Sequence, residues 1–301
     1  VTRMFGGLGT AATIGIVFAM ASTRYAGEGR LRALSIVSGS FSIAPIIGIP
    51  LLTTLSVWIA WRGAWVFVGG LGIVALAMVA VLSPADGPKP AARFTVGGAF
   101  RSYGPLFRSA SMLARFAASA FQGLLFLTAL TYNGAYFIDE IGISTQQFGI
   151  VAAVSGGAFA LGSFSAGQLG RFDLRTLFGL SMVLAGFVLA PVYGVDAGAV
   201  GTAGLVAIAF FLGGISVVAI LGLLADETPA GQGTTMVINE AIFSVGAAMG
   251  AALGGVLISL GGYGAVAFVL PVYGIVGGLL VWRPFLARST PVVLPEQSDL
   301  D

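Results

Sequence analysis

The 301-residue chain contains no cysteine and no histidine, and only 9% of it is charged. Without cysteine there are no disulfides and no thiolate chemistry; without histidine there is no imidazole metal ligand and no histidine proton carrier. Any proton chemistry falls to carboxylates. Charge this sparse cannot cover a water-soluble globule with polar surface. What fills the chain instead is apolar: 57% hydrophobic residues, 46 glycines and a mean hydropathy of +1.00. The apolar runs reach about 20 residues, the length that carries a helix across a bilayer, which excludes an aqueous β-rich domain and a disordered chain. The chain reads as an all-α polytopic membrane protein.

Nine apolar spans are predicted, at 3–22, 34–57, 63–83, 110–138, 147–168, 174–194, 199–224, 234–260 and 264–282. The longest and most proline-rich connection follows the third of them. It divides the chain into a helical part at 1–83, a linker at 84–108, a six-helix part at 109–286 and a tail at 287–301. Alternate loops placed on opposite sides put Arg24, Arg30, Arg32, Lys89, Arg93, Arg101, Arg108, Arg171, Arg175, Arg283 and Arg288 together, against Arg62 alone with the acidic Asp139, Glu140 and Asp196. The bias makes the linker and the tail cytoplasmic at a plasma or bacterial inner membrane. The net charge of +2 therefore records orientation before it suggests an anionic partner, and nucleic acid is not expected as one.

The second span carries two prolines, in Gly39-Ser-Phe-Ser-Ile-Ala44-Pro45-Ile-Ile-Gly48-Ile-Pro50. Each removes a backbone donor and crowds the carbonyl four residues earlier, so a bend is expected with the carbonyls of Phe41 and Ile46 unpaired. Ser40, Ala44 and Gly48 recur every four residues and offer one smooth face. The stretch resembles the fifth-helix motif of the major facilitator superfamily, G-x-x-x-[GA]-P-x-x-G, with Gly39, Ala44, Pro45 and Gly48 in its key places and the first glycine shifted by one. In that family the motif goes with drug:proton antiporters. The first span opens Arg3-Met-Phe-Gly6-Gly-Leu-Gly9-Thr-Ala-Ala12, which is similar to the family's fourth-helix pattern. The segment from Gly167 through Arg171 and Asp173 to Arg175 is a degenerate form of its loop signature. The resemblance implies a bundle of six plus six helices of which this chain carries nine, helices four to twelve. It also implies a secondary transporter that works as a monomer when full length and needs no cofactor beyond a proton gradient, with helices one to three expected upstream of Val1. On that expectation the 301 residues do not transport alone.

Small residues also stripe the fifth span, at Gly156, Ala160, Ser163 and Gly167, and the eighth, at Gly246, Gly250 and Gly254. Such stripes are the ordinary means by which membrane helices pair. The resemblance adds an expectation that both helices, with the one bearing Pro45, line the moving interface between the two halves.

Polar groups inside spans are costly and mark function. On the fourth span Arg115, Gln122, Asn133 and Tyr136 fall on one face with Phe126 among them, a stripe expected to line a water-accessible cavity. Arg115 near one end and Tyr136 near the other also fit snorkelling and interfacial anchoring. Asn239 lines up with Gly246 and Gly250. Glu240, about 100° round, is either a buried carboxylate able to exchange a proton or a carboxylate at a helix start. Arg3 is a candidate for proton coupling through its influence on a nearby acid. Asp226-Glu227-Thr-Pro229 reads as a solvated loop.

No phosphate-binding loop, metal-ligand cluster or nucleophile with its base is present in the sequence, so neither an enzyme nor an ATP-driven machine is expected. The leading reading is a proton-coupled exporter of a small amphipathic compound. An importer of the same fold and a non-transporting scaffold or channel are the alternatives.

Overall fold

The structure is a computed structural model that describes residues 2–82, 103–169, 172–226 and 228–282, with the side chains of 2–12, 45, 53, 57 and 82 set aside. Lys89, Arg93, Arg101, Arg171, Glu227, Arg283, Arg288, most of the 84–108 linker and the 287–301 tail lie outside the described residues. So do the side chains of Arg3 and Pro45.

Helices run α1 Thr2–Arg24, α2 Gly27–Ser40, α3 Ile49–Leu82, α4 Ala110–Ala135, α5 Thr145–Gln168, α6 Leu174–Gly194, α7 Gly198–Asp226 and α8 Gln232–Trp282. Wide π-turns occupy Ala44–Gly48, between α2 and α3, and Tyr136–Glu140, at the end of α4. Two helices are broken. In α3 the backbone leaves helical geometry at Ile59 and Ala60, and in α8 at Gly261 and Gly262. Gly262 takes φ +65° without penalty, whereas Ala60 at φ 59° is held in the strained left-handed region. Counted between breaks, the eight described helices make ten rods, and six unbroken or merged stretches among the described residues are long and apolar enough to cross a membrane.

Local chemistry fixes several starts. The Ser109 hydroxyl accepts from Met112 N at the head of α4. Ser144 and Gln147 make a reciprocal capping box on α5, and the Asp173 carboxylate accepts from Arg175 N and Thr176 N on α6.

The two prolines of the second span are accommodated differently from expectation. Pro45 lies in the opening turn of the π segment, and Pro50 is the second residue of α3. Pro45 sits where a helical piece begins, so its missing N–H has no intrahelical duty, whereas Pro50 follows the wide turn with no break in the helical backbone. The π register also pairs Ile49 N with the Ala44 carbonyl, and Ile46 N bonds the Ser42 carbonyl at 3.0 Å. The smooth face proposed for Ser40, Ala44 and Gly48 is not the packed one. Ser40 and Ala44 are exposed, while Leu31, Leu34, Ser35, Ser38, Gly39 and Ser42 are buried. The extra residue of a π-turn rotates the helix beyond it by about 100°, so a four-residue count does not stay in line across it.

The core is built on close helix pairs in which glycine faces the neighbouring backbone. The stripe Gly246, Gly250 and Gly254 lies on α4 at Ala120, Leu124 and Tyr132, and Gly123 answers it opposite Phe243 and Ala247. The eighth-span stripe therefore packs against α4, while the helix that carries it meets α1 through Val237 and Gly233, as expected of an interface helix. Gly186, Gly274 and Gly278 join α6 to α8, and Gly162 with Gly214 joins α5 to α7. Hydrogen bonds fix the α4–α8 pair further: the Thr128 hydroxyl reaches the Gly250 carbonyl at 3.0 Å and Tyr132 that of Ala251 at 2.5 Å. By contrast, few residues of the rod over Trp58–Val81 are buried and most of those in the apolar stretch of Ala110–Glu140 are, which makes α4 the central helix and the second rod of α3 a peripheral one.

Gly246→Val should lower the unfolding midpoint of the detergent-solubilised protein by several degrees or prevent folding, a cost of about 1–3 kcal/mol or more. Gly70→Ala, whose methyl meets nothing within 4 Å, should change stability by no more than about 1 kcal/mol. Equal losses from the two would refute this packing.

Candidate functional site: a cavity between the helical halves

α1, α2 and the segment leading into α3 meet the α4–α8 bundle along two seams. On one, Ser38 Oγ lies 3.2 Å from Ser163 Oγ, Gly167 admits the Ser35 side chain, and Gly39 admits the ring of Phe164. On the other, a methyl at Gly15 would come 3.2 Å from Val237 Cα, and Gly233 faces Ala19. Ser163 and Gly167 of the fifth-span stripe thus contact α2. Gly156 lines a cavity, and Ala160 is half-buried. Near these seams Arg30 Nη1 and Asp226 Oδ1 form an ion pair at 2.6 Å. Asp226, read from sequence as a solvated loop residue, instead joins the end of α7 to the start of α2. With Asp226 more than half exposed, such a pair is worth about 0–1 kcal/mol and serves mainly to set register.

Beyond the seams lie two adjoining cavities. The first, about 240 Å³, is bounded by Ile14, Phe18 and Phe41 on one side and by Gln122, Phe126, Phe210, Asn239, Glu240 and Phe243 on the other. The second, about 400 Å³, is bounded by Phe41, Ser42, Ala44 and Ile49 opposite Asn133, Ser155, Gly156, Phe159 and Phe210. They share Phe41, Leu130, Phe159 and Phe210. Of the charged residues described, Glu240 alone lines either one.

The polar stripe of the fourth span is divided among several surroundings. Gln122 and Phe126 reach the first cavity and Asn133 the second. Arg115 does not line either: it is 3% exposed, wedged between α4 and α7, and Nη1 donates to the Leu223 carbonyl at 3.3 Å. Tyr136 lines a separate cavity of about 780 Å³ with Glu140, Tyr193, Asp196 and Tyr263. Both departures have one cause. A stripe along a 26-residue helix is long enough to pass through successive neighbours.

The polar side chains are held by interhelical bonds. Gln122 Nε2 donates to Ser216 Oγ at 2.6 Å, and Ser216 donates onward to the Gly213 carbonyl at 2.8 Å. The Tyr193 hydroxyl donates to Asn133 Oδ1 at 2.5 Å. Asn239 is 4% exposed, yet its Oδ1 has no partner among the described residues, and neither has the Ser42 hydroxyl at 2% exposure. A buried acceptor without a donor costs about 1–3 kcal/mol, which makes both atoms conspicuous. Sequence reading missed Phe18, Phe41, Ser42, Phe159, Phe210 and Phe243. Phenylalanines in apolar spans carry no periodic signal that separates a cavity wall from a lipid-facing ring.

Residues 1–169 match the sequence model of the Major Facilitator Superfamily, more than half of the chain. The chain belongs to the major facilitator superfamily. Its fold is similar to the crystal structure of the major facilitator superfamily transporter FucP in the outward conformation, with a TM-score of 0.62, 16% identity, and coverage of 90% of this chain and 71% of that one. It is also similar to a bacterial homolog of the human lysosomal transporter Spinster, inward-facing and unoccupied, with a TM-score of 0.53, 15% identity and the same 90% and 71% coverage. At these identities the likeness is one of fold. As a member of the superfamily, the chain is a multi-pass helical protein of a transporter family, and the cavity lies where two groups of its helices meet.

Tyr193→Phe should destabilise the protein by about 1–3 kcal/mol by stranding Asn133 Oδ1. In a double-mutant cycle with Asn133→Leu, the paired substitution should cost less than the sum of the two. Strict additivity in thermal unfolding would argue against the bond.

Proposed function

We propose that this protein is a secondary active transporter that exports a small amphipathic compound in exchange for protons by alternating access. The observation that carries the proposal is an aromatic-walled cavity between two groups of helices, holding one ionisable side chain, Glu240, among the described residues. Apolar walls with a few placed polar groups suit an amphipathic cargo. A lone carboxylate there suits exchange of a proton, and in a chain without histidine the task falls to such a group. The resemblance at Gly39, Ala44, Pro45 and Gly48 favours export over import.

On this reading the energy source is the proton gradient, with no cofactor. A membrane potential supplies roughly 2.3 kcal/mol per charge per 100 mV. The cargo, protons and the lipid of a plasma or bacterial inner membrane are the partners, nucleic acid is not one, and the full-length protein acts as a monomer with its tail in the cytoplasm. Arg3 remains a candidate for coupling through a nearby acid, by family resemblance alone.

The intact protein in proteoliposomes with an imposed pH gradient tests this directly. Glu240→Gln should cut gradient-driven flux by at least about tenfold and leave the residual flux insensitive to the imposed pH gradient. Gradient-driven flux that survives the substitution removes Glu240 from coupling, and an absence of counterflow in the unaltered protein refutes a carrier. The direction of net flux separates export from import.

A further inference from the structure

We infer that the cargo of the central cavity is a cation bearing N–H donors on a flat apolar body, an amidinium or a protonated aromatic amine in preference to a quaternary ammonium ion. The inference rests on the cavity being the transport site. Three observations converge on it.

The first is charge. Glu240 lines the cavity, and no lysine or arginine among the described residues lines either compartment. Among the described residues an anionic cargo finds no counter-charge there; a cationic one finds a carboxylate.

The second is the hydrogen-bond inventory. Gln122 Nε2 is committed to Ser216, and Asn133 Oδ1 is taken by Tyr193. Three buried side-chain atoms lack partners among the described residues, Ser42 Oγ, Ser119 Oγ and Asn239 Oδ1, and two of them belong to cavity-lining residues on opposite sides. Asn239 immediately precedes Glu240 on α8. An amide oxygen accepts and cannot donate, so its unmet need is for an N–H or O–H. A quaternary ammonium ion satisfies the charge of Glu240 but leaves Asn239 unmet, whereas an amidinium meets both.

The third is the wall. Phe41 and Phe210 border both compartments, with Phe126 and Phe243 in the first. Their faces attract a delocalised cation, most strongly where water is excluded.

Binding of three probes built on one naphthyl body to the intact protein in nanodiscs tests the inference: 2-naphthamidine as its cation, its N-permethylated cation, and neutral 2-naphthamide. The unaltered protein should bind the amidine at least about tenfold more tightly than either of the others. Asn239→Leu should erase the preference for the amidine over the permethylated cation while keeping cation over neutral. Glu240→Gln should do the reverse. The ranking on the unaltered protein needs no substitution, so a variant that fails to fold does not rescue the inference. It is overturned if the permethylated cation binds as tightly as the amidine, if the neutral amide does, or if none of the three binds. Gradient-driven flux without this ranking overturns the cargo class and leaves the transporter standing. The ranking without any flux leaves the binding chemistry and overturns transport.

Discussion

Close approach of helix backbones through glycine is the constraint on which the rest depends. In lipid there is no hydrophobic drive to bring helices together, so contact has to come from packing and interhelical hydrogen bonds. Gly246 and Gly250 let α8 settle onto α4, and Gly162 with Gly214 does the same for α5 and α7. Only at that separation can the Thr128 and Tyr132 hydroxyls reach carbonyls on the facing helix. The walls of the cavity are the faces left over once these pairs have formed. A cavity lined by large phenylalanines is thus a consequence of seams lined by residues with no side chain.

Of the two seams between the groups of helices, the α1 seam again brings a glycine, Gly15, onto backbone at Val237, whereas the α2 seam is built differently. Serines meet at Ser38 and Ser163, a ring meets a glycine at Phe164 and Gly39, and a half-exposed ion pair joins Arg30 to Asp226. These contacts are individually modest, and the hydroxyls can return to helix carbonyls when parted. Such a seam is suited to opening, whereas the glycine-locked pairs inside the bundle are suited to moving as one body. The difference in chemistry between the two kinds of seam is the physical basis on which the proposed alternating access rests.

Much of the fold was legible because hydropathy and turn chemistry are local. The spans ending near 57 and 260 stop where α3 and α8 break, at Ile59–Ala60 and Gly261–Gly262, although both helices run on in hydrogen-bonding terms. Gln122, Phe126, Asn239 and Glu240 were singled out by helical phase, and all four line the first cavity. Phase failed where it crossed an irregularity or ran too far. The π-turn displaced the face drawn through Ser40, Ala44 and Gly48, and Arg115 and Tyr136 lie at opposite ends of a helix whose neighbours change along its length. The pairing of Arg30 with Asp226 spans 196 positions and has no local signature at all. Spacing showed that Gly246, Gly250 and Gly254 share a face, but only the assembled bundle shows that the partner is α4 and not the other group of helices.

The wide turn at Ala44–Gly48 has a consequence for chain length. One surplus residue there sets the azimuth of α2 relative to α3, so Phe41 and Ser42 border the cavity while Ile49 borders it from the far side of the turn. Deleting any one residue of the turn would keep the composition almost unchanged and leave a continuous helix, yet it would swing everything upstream by about 100°. The stretch is therefore constrained in number as well as in kind: homologous positions here should exchange side chains more readily than they gain or lose a residue.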